Sequence, residues 1–180
     1  APAAETLKPD MEKSKIVFVG HKADGKHEGG FKKFDVAAKA DWEDESKSSL
    51  RIEIKTESLW SDDEKLTAHL KNPDFFDVRK YPKIVFESTE IVAADETSGA
   101  MTGKIEMLGK TETVTVPVKL DINEQTITIK ADFKLDRTKW GMTYGEGKIN
   151  KEVDIKVTLV LNRQAAQADS KKQEVKADIQ

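Results

Sequence analysis

Strict alternation of apolar and polar side chains recurs in segment after segment of this chain, and no other feature restricts the fold as much. Leu50, Ile52, Ile54 and Thr56 alternate with Arg51, Glu53, Lys55 and Glu57, as a strand with one dry and one wet face requires. Val114, Val116, Val118, Leu120 and Ile122 repeat the pattern, as do Ile127, Ile129, Ala131, Phe133 and Leu135, and again Val153, Ile155, Val157, Leu159 and Leu161. Shorter runs pass through Ile16 and Phe18, through Phe34, Val36, Ala38, Ala40 and Trp42, through Ile84 and Phe86, and through Met101, Gly103, Ile105 and Met107. Together these predict about eight strands. Gly109-Lys110 fits a two-residue II′ turn, and Asn123-Glu124-Gln125 is too short for a parallel crossover, so the second half reads as an antiparallel meander. Pro117 lacks an N–H and marks an edge, a bulge or a gap in its ladder.

The 180 residues suit one domain. With 37% hydrophobic against 35% charged residues, the apolar side chains must be concentrated on inner faces. The net charge of −3 supplies no attraction to nucleic acid or to an anionic membrane. The absence of cysteine excludes disulfides, thiolate catalysis and Cys-held zinc or iron–sulfur clusters. No run approaches the roughly 18 apolar residues of a spanning helix. The opening Ala1-Pro2-Ala3-Ala4, without Met, reads as the mark of a removed leader, hence of export, or of an artificial chain start. Residues 1–11 and 164–180 show no apolar face, so they are expected to be flexible tails around a domain at 12–163.

One stretch, about residues 62–78, departs from the strand rule. Ser61-Asp62-Asp63-Glu64 has the form of a capping box, and Leu66 and Leu70 follow at helical spacing, so a short helix is expected from near Asp62. Asn72-Pro73-Asp74, ahead of Phe75-Phe76, predicts a second, very short helical turn.

Several stretches carry a family resemblance. They are Ser14 to Lys22 (SKIVFVGHK), Gly25 to Phe31 (GKHEGGF), His69 to Asp77 (HLKNPDFFD), Tyr81 to Ser88 (YPKIVFES), Thr102 to Thr111 (TGKIEMLGKT) and Asp136 to Met142 (DRTKWGM). In this order the chain resembles the YceI-like family of lipocalin-like, polyisoprenoid-binding proteins. The resemblance spans nearly all of residues 14–162, and the HLKNPDFFD to YPKIVFES stretch is its most specific part. It implies an extended eight-stranded antiparallel barrel with a helical insertion, export to the periplasm or beyond, and an interior pocket for a long isoprenoid chain.

Read from the residues alone, inward-facing apolar side chains are needed by any β-sandwich core, and an eight-stranded barrel is either filled by its own side chains or left open for a small ligand. Ala38, Ala40, Gly103 and Ala131 on the inner parity are too small to meet at the centre, which favours a cavity slightly. His21 and His27 with Glu28 have metal-ligand chemistry but lie in a Gly-rich segment, and His69 has no second His one helical turn away, so no metal site is expected. Gly99 to Lys104 has the wrong glycine spacing for a phosphate loop. No Gly-x-Ser-x-Gly elbow is present. Asp136-Arg137, at a strand end before Trp140, has two readings: an Arg that pins the barrel-end loop by bonding carbonyls or a carboxylate, which is favoured, or a polar contact to a ligand head group.

The fold expected is therefore all-β, an eight-stranded lipocalin-like barrel. The function expected is binding, storage or transport of an isoprenoid-type lipid without catalysis and without a cofactor. Its rival is an exported protein-interaction or stress-related module with a filled core. The candidate pocket residues are Ile16, Phe18, Phe34, Ile52, Ile54, Leu66, Leu70, Phe75, Phe76, Ile84, Phe86, Ile105, Met107, Val116, Val118, Ile129, Phe133, Trp140, Met142, Val157 and Leu159, with Arg137 and Asp136 at a polar rim. The partner expected is the lipid itself, with transient membrane contact allowed and no nucleic acid.

Overall fold

Three strands of the barrel are each broken into two pieces, so the computed structural model, which describes residues 4–163, holds eleven strand segments in an eight-stranded antiparallel barrel. β1 (Ala4–Pro9) and β2 (Lys15–Lys22) lie end to end along one neighbour, β11 (Glu152–Arg163). Leu7 pairs with Arg163 and Pro9 with Leu161, then Lys15 with Thr158 and Val19 with Asp154. β3 (Gly25–Phe31) and β4 (Phe34–Asp41) are one strand bent at Lys32-Lys33. β5 (Ser49–Lys55) and β6 (Leu59–Ser61) are one strand bent at a 3-10 turn, Thr56–Ser58. These two bends are tied together: the Lys33 N–H donates to Ser58 Oγ at 2.9 Å and the Lys55 N–H to the Lys33 carbonyl at 3.0 Å. β7 (Lys83–Ala93), β8 (Ser98–Met107), β9 (Lys110–Ile122) and β10 (Thr126–Asp136) are unbroken and, with β11, make the expected meander.

Closure happens at one end only. β1 pairs with β4 on one side and β11 on the other, completing the ring β1-β4-β5-β7-β8-β9-β10-β11. At the other end β2, β3 and β6 carry the wall onward. There the connection from β6 to β7 contains the helix α1 (Glu64–Lys71). Among the described residues no helix is long and apolar enough to cross a membrane.

β1 corrects the expectation of a flexible N-terminal tail over residues 1–11. Its sequence, Ala-Glu-Thr-Leu-Lys-Pro, has one large apolar residue, too few for a period-two signal. The strand is held by burial of Leu7 and by Glu5, which is buried and accepts from Arg163 Nε at 2.7 Å, a pairing between the two ends of the domain. The expected tail at 164–180 lies outside the described residues.

Two local expectations are also corrected. The β8–β9 turn consists of Leu108 and Gly109, with φ of 53° and 74°, between paired Met107 and Lys110. Positive φ at both positions makes it type I′ rather than II′, the turn whose twist matches the strands it joins. The helix cap is Asp63, whose Oδ1 accepts from the Lys65 and Leu66 N–H groups, because Ser61 Oγ is engaged with Thr67 and the Asp63 carbonyl. After Asn72 the expected short turn forms: Asn72 Oδ1 accepts from the Asp74 N–H at 2.9 Å and the Asn72 carbonyl from the Phe75 N–H at 3.0 Å, and beyond it Asp77 adopts a positive φ of 44°.

Core side chains fill the closed end. Leu7, Ala38, Ile127 and Leu161 are buried there, with Leu161 wholly so. One step along the barrel, Leu50, Leu159, Met101 and Val118 are buried too, but they are the floor of an open space.

Candidate ligand cavity

Above that floor the inward side chains no longer meet, and they line a cavity of about 440 Å³. Every apolar residue expected from strand parity and from the insertion lines it except Phe34. The reason is the alternation itself: residues two apart on a strand share a face, and the dry face of a closed barrel points inward. Phe34 pairs with Ile54 and shares its side of the sheet, yet it is buried among core side chains and does not reach the open space.

Gly103 also departs from expectation. It is small because the Phe86 ring occupies the place where its Cβ would stand, so it makes room for a neighbour's side chain rather than for a ligand. Ala131, by contrast, does line the cavity.

The insertion roofs the space with two aromatic groups. The Phe76 ring lies 6.0 Å from Phe18 and 5.5 Å, edge to face, from Phe31. Phe75 is buried against His69 and Tyr144, at 4.9 Å from the His69 ring and 5.2 Å from Tyr144. Leu66 and Leu70 add the apolar side of α1. Such contacts are each worth about 0.5–1.5 kcal/mol beyond simple burial.

Polar groups gather at this roofed end. His21 Nε2 is 2.7 Å from Asp154 Oδ2, His27 Nδ1 is 2.8 Å from Asp62 Oδ1, and His69 Nε2 is 2.9 Å from Asp74 Oδ2. All three imidazoles line the cavity. The hydrogen bond from His21 lowers the Asp154 pKa, and the Glu28 N–H, with His27 second, lowers that of Asp62. Among the described residues no group of three or more His, Cys, Asp or Glu is placed to hold a metal ion.

Arg137 and Asp136 part company. Arg137 is 5% exposed and lines the cavity, and its guanidinium donates to the carbonyls of Asn150 (3.0 Å), Met142 (2.8 Å) and Ile149 (3.2 Å). Burial lowers its pKa, partly opposed by Asp136. It therefore pins the loop between β10 and β11, which is the structural reading. Asp136 does not line the cavity: it caps the 3-10 turn Arg137–Trp140, accepting from the Thr138 N–H at 2.9 Å and Oγ1 at 2.5 Å, and the Thr138 side chain above all lowers its pKa.

Sequence reasoning did not place Phe31, Tyr144, Ile149 or the three histidines in the lining. Tyr144 and Ile149 sit in an aperiodic loop and carry no pattern. Val114, Leu135, Val153 and Ile155, also in the lining, were legible as inward parity.

A model of the YceI-like domain matches residues 7–161. The chain is 37% identical over 87 residues to a UPF0312 protein of Pseudomonas putida (strain GB-1), which is 48% of this chain and 45% of that protein. The aligned region thus spans about half the length of such curated relatives. Among solved structures, BcnA of Burkholderia cenocepacia superimposes with a TM-score of 0.79 at 32% identity, covering 85% of this chain and 99% of that one. A polyisoprenoid binding domain from Saccharophagus degradans, implicated in plant cell wall breakdown, gives 0.71 at 10% identity, covering 91% and 99%. At that identity the likeness is one of fold.

Proposed function

The chain belongs to the YceI-like family, and on that footing we propose that it holds one long apolar molecule of isoprenoid type inside the barrel and does no chemistry on it. The observation that carries this reading is the cavity, about 440 Å³ with walls of Val, Ile, Leu, Met and Phe from both halves of the barrel. At roughly 30 Å³ for each water-sized group in a liquid, it accepts about 15 carbon-sized groups, or three isoprene units. Burying them yields a gross gain near 12 kcal/mol at about 0.8 kcal/mol per group. That is enough to offset an association cost of roughly 4–15 kcal/mol only when most of the space is filled. Binding by shape and burial, with few polar contacts, is what such a site does.

The fully buried Trp140, whose indole N–H donates to the Ile105 carbonyl at 3.0 Å, sits in the lining and serves as a reporter. Titrating lipid-free protein with an all-trans polyprenol changes its emission in a saturable way, and Trp140→Phe removes that change. A flat titration by an independent binding assay as well counts against the carrier reading. Export to the periplasm completes the proposal, and fractionation of cells making the full-length protein tests it.

A further inference from the structure

The ladder between β9 and β10 ends before either strand does. Its last rung sets Ala131 opposite Val118, yet β9 runs on to Lys110 and β10 to Asp136. The next rung in the same register would oppose Asp132 to Pro117, which has no N–H to give. Beyond it, Val116 would face Phe133 and Val114 would face Leu135, but these strands are not paired. The 3-10 turn Arg137–Trp140 bounds the far side, held over the wall by the Trp140 bond to Ile105. The result is a window framed by two strands, one rung and one turn.

A second cavity, of about 250 Å³, lies at this window. Val114, Val116, Phe133, Leu135 and Trp140 line it and the inner cavity alike, so at this place side chains alone divide the two. Its remaining walls are Glu112, Thr113, Thr115, Lys134, Asp136 and Lys139, which makes the outer compartment polar where the inner one is apolar. Between strands that are paired, a molecule crossing the wall must break ladder hydrogen bonds. Here it breaks none. A chain longer than about three isoprene units exceeds the inner space, and one end of it must lie outside.

We propose that the parted edges of β9 and β10 are a side opening of the ligand cavity, through which the polar end of a long-chain amphiphile leaves the barrel into the outer groove. The inference rests on the carrier reading, and it adds a second compartment and a route in and out that leaves the aromatic roof in place.

Thr115 and Lys134 are exposed, would stand opposite each other in the continued register, and line only the outer groove. The chain has no cysteine of its own, so Thr115→Cys with Lys134→Cys introduces one thiol pair, which a short bismaleimide bridges across the window. Uptake of farnesol (three units) and of solanesol (nine units) is compared between the unbridged and bridged forms of this variant. Bridging lowers solanesol uptake at least tenfold and leaves farnesol uptake within twofold. Equal solanesol uptake in both forms overturns the side opening. If the unbridged variant and the unmodified protein take up neither alcohol, the carrier reading itself falls. Where bridging is incomplete, acrylodan on Thr113→Cys reports on the groove directly. Its emission shifts to the blue with solanesol and not with farnesol, and no shift on proven solanesol loading overturns the proposal.

Discussion

Replacing Phe76 by Ser removes the ring that closes the roof over Phe18 and Phe31 while leaving the barrel ladder untouched. Truncating a fully buried Phe costs about 3–5 kcal/mol, and Phe76 is only half-buried, so the loss falls near 3 kcal/mol. A domain of this size has about 5–15 kcal/mol in hand, and the variant stays folded. At roughly 2–4 °C per kcal/mol, its Tm drops by about 6–12 °C while the far-ultraviolet circular dichroism spectrum is unchanged. Losing one aromatic wall, worth about 1.5–3 kcal/mol to an apolar ligand, speeds release of preloaded farnesol at least tenfold, measured by transfer to acceptor vesicles. Unchanged release at the lowered Tm makes Phe76 ordinary core and refutes the roof. Global unfolding with release as a by-product refutes it as well. Phe75 is the poorer choice for this test because it is buried between His69 and Tyr144, and the pair removed together would approach the whole stability of the domain.

Affinity for an isoprenoid alcohol series rises steeply up to about three units, at a gross gain of about 4 kcal/mol per unit, and then levels off, as calorimetry or displacement will show; equal affinity for one unit and for three contradicts an apolar cavity. Glu53 accepts from Lys83 at 2.8 Å and Arg51 at 2.9 Å, and these bonds lower its pKa from 4.5 to about 2. Because the folded pKa is the depressed one, its stabilisation is complete above about pH 4.5 and is lost as pH falls toward 2, so Glu53→Gln shows a smaller fall in Tm across that window than the unmodified chain. Arg137→Met removes three charge-assisted bonds to carbonyls at roughly 1.5 kcal/mol each, costs about 4.5 kcal/mol in denaturant unfolding, and raises hydrogen exchange first in residues 142–150.

Legibility in the sequence followed the physics of each element. Strands β9, β10 and β11 alternate over long stretches, and parity alone assigned their inward faces. The gap at Pro117 was legible because a missing N–H is a property of the residue itself. The bends at Lys32-Lys33 and Thr56–Ser58 carry no glycine or proline and come from hydrogen bonds between the two bends, which no local pattern encodes. β1 was hidden because ring closure and the Glu5–Arg163 pair, not apolar periodicity, hold it. The place of the histidines around the cavity was not legible, because it depends on partners such as Asp154, 133 residues from His21. Phe34 had the right parity, and only the packing of its neighbours keeps it from the open space.

The most direct test is to purify the protein from its own host without detergent, extract it with organic solvent and weigh what is released by mass spectrometry. A single long-chain isoprenoid-type lipid at close to one molecule per chain is the predicted result. A clean extract from folded protein, with no lipid taken up when polyprenols are then supplied, would contradict the claim that the barrel is a carrier.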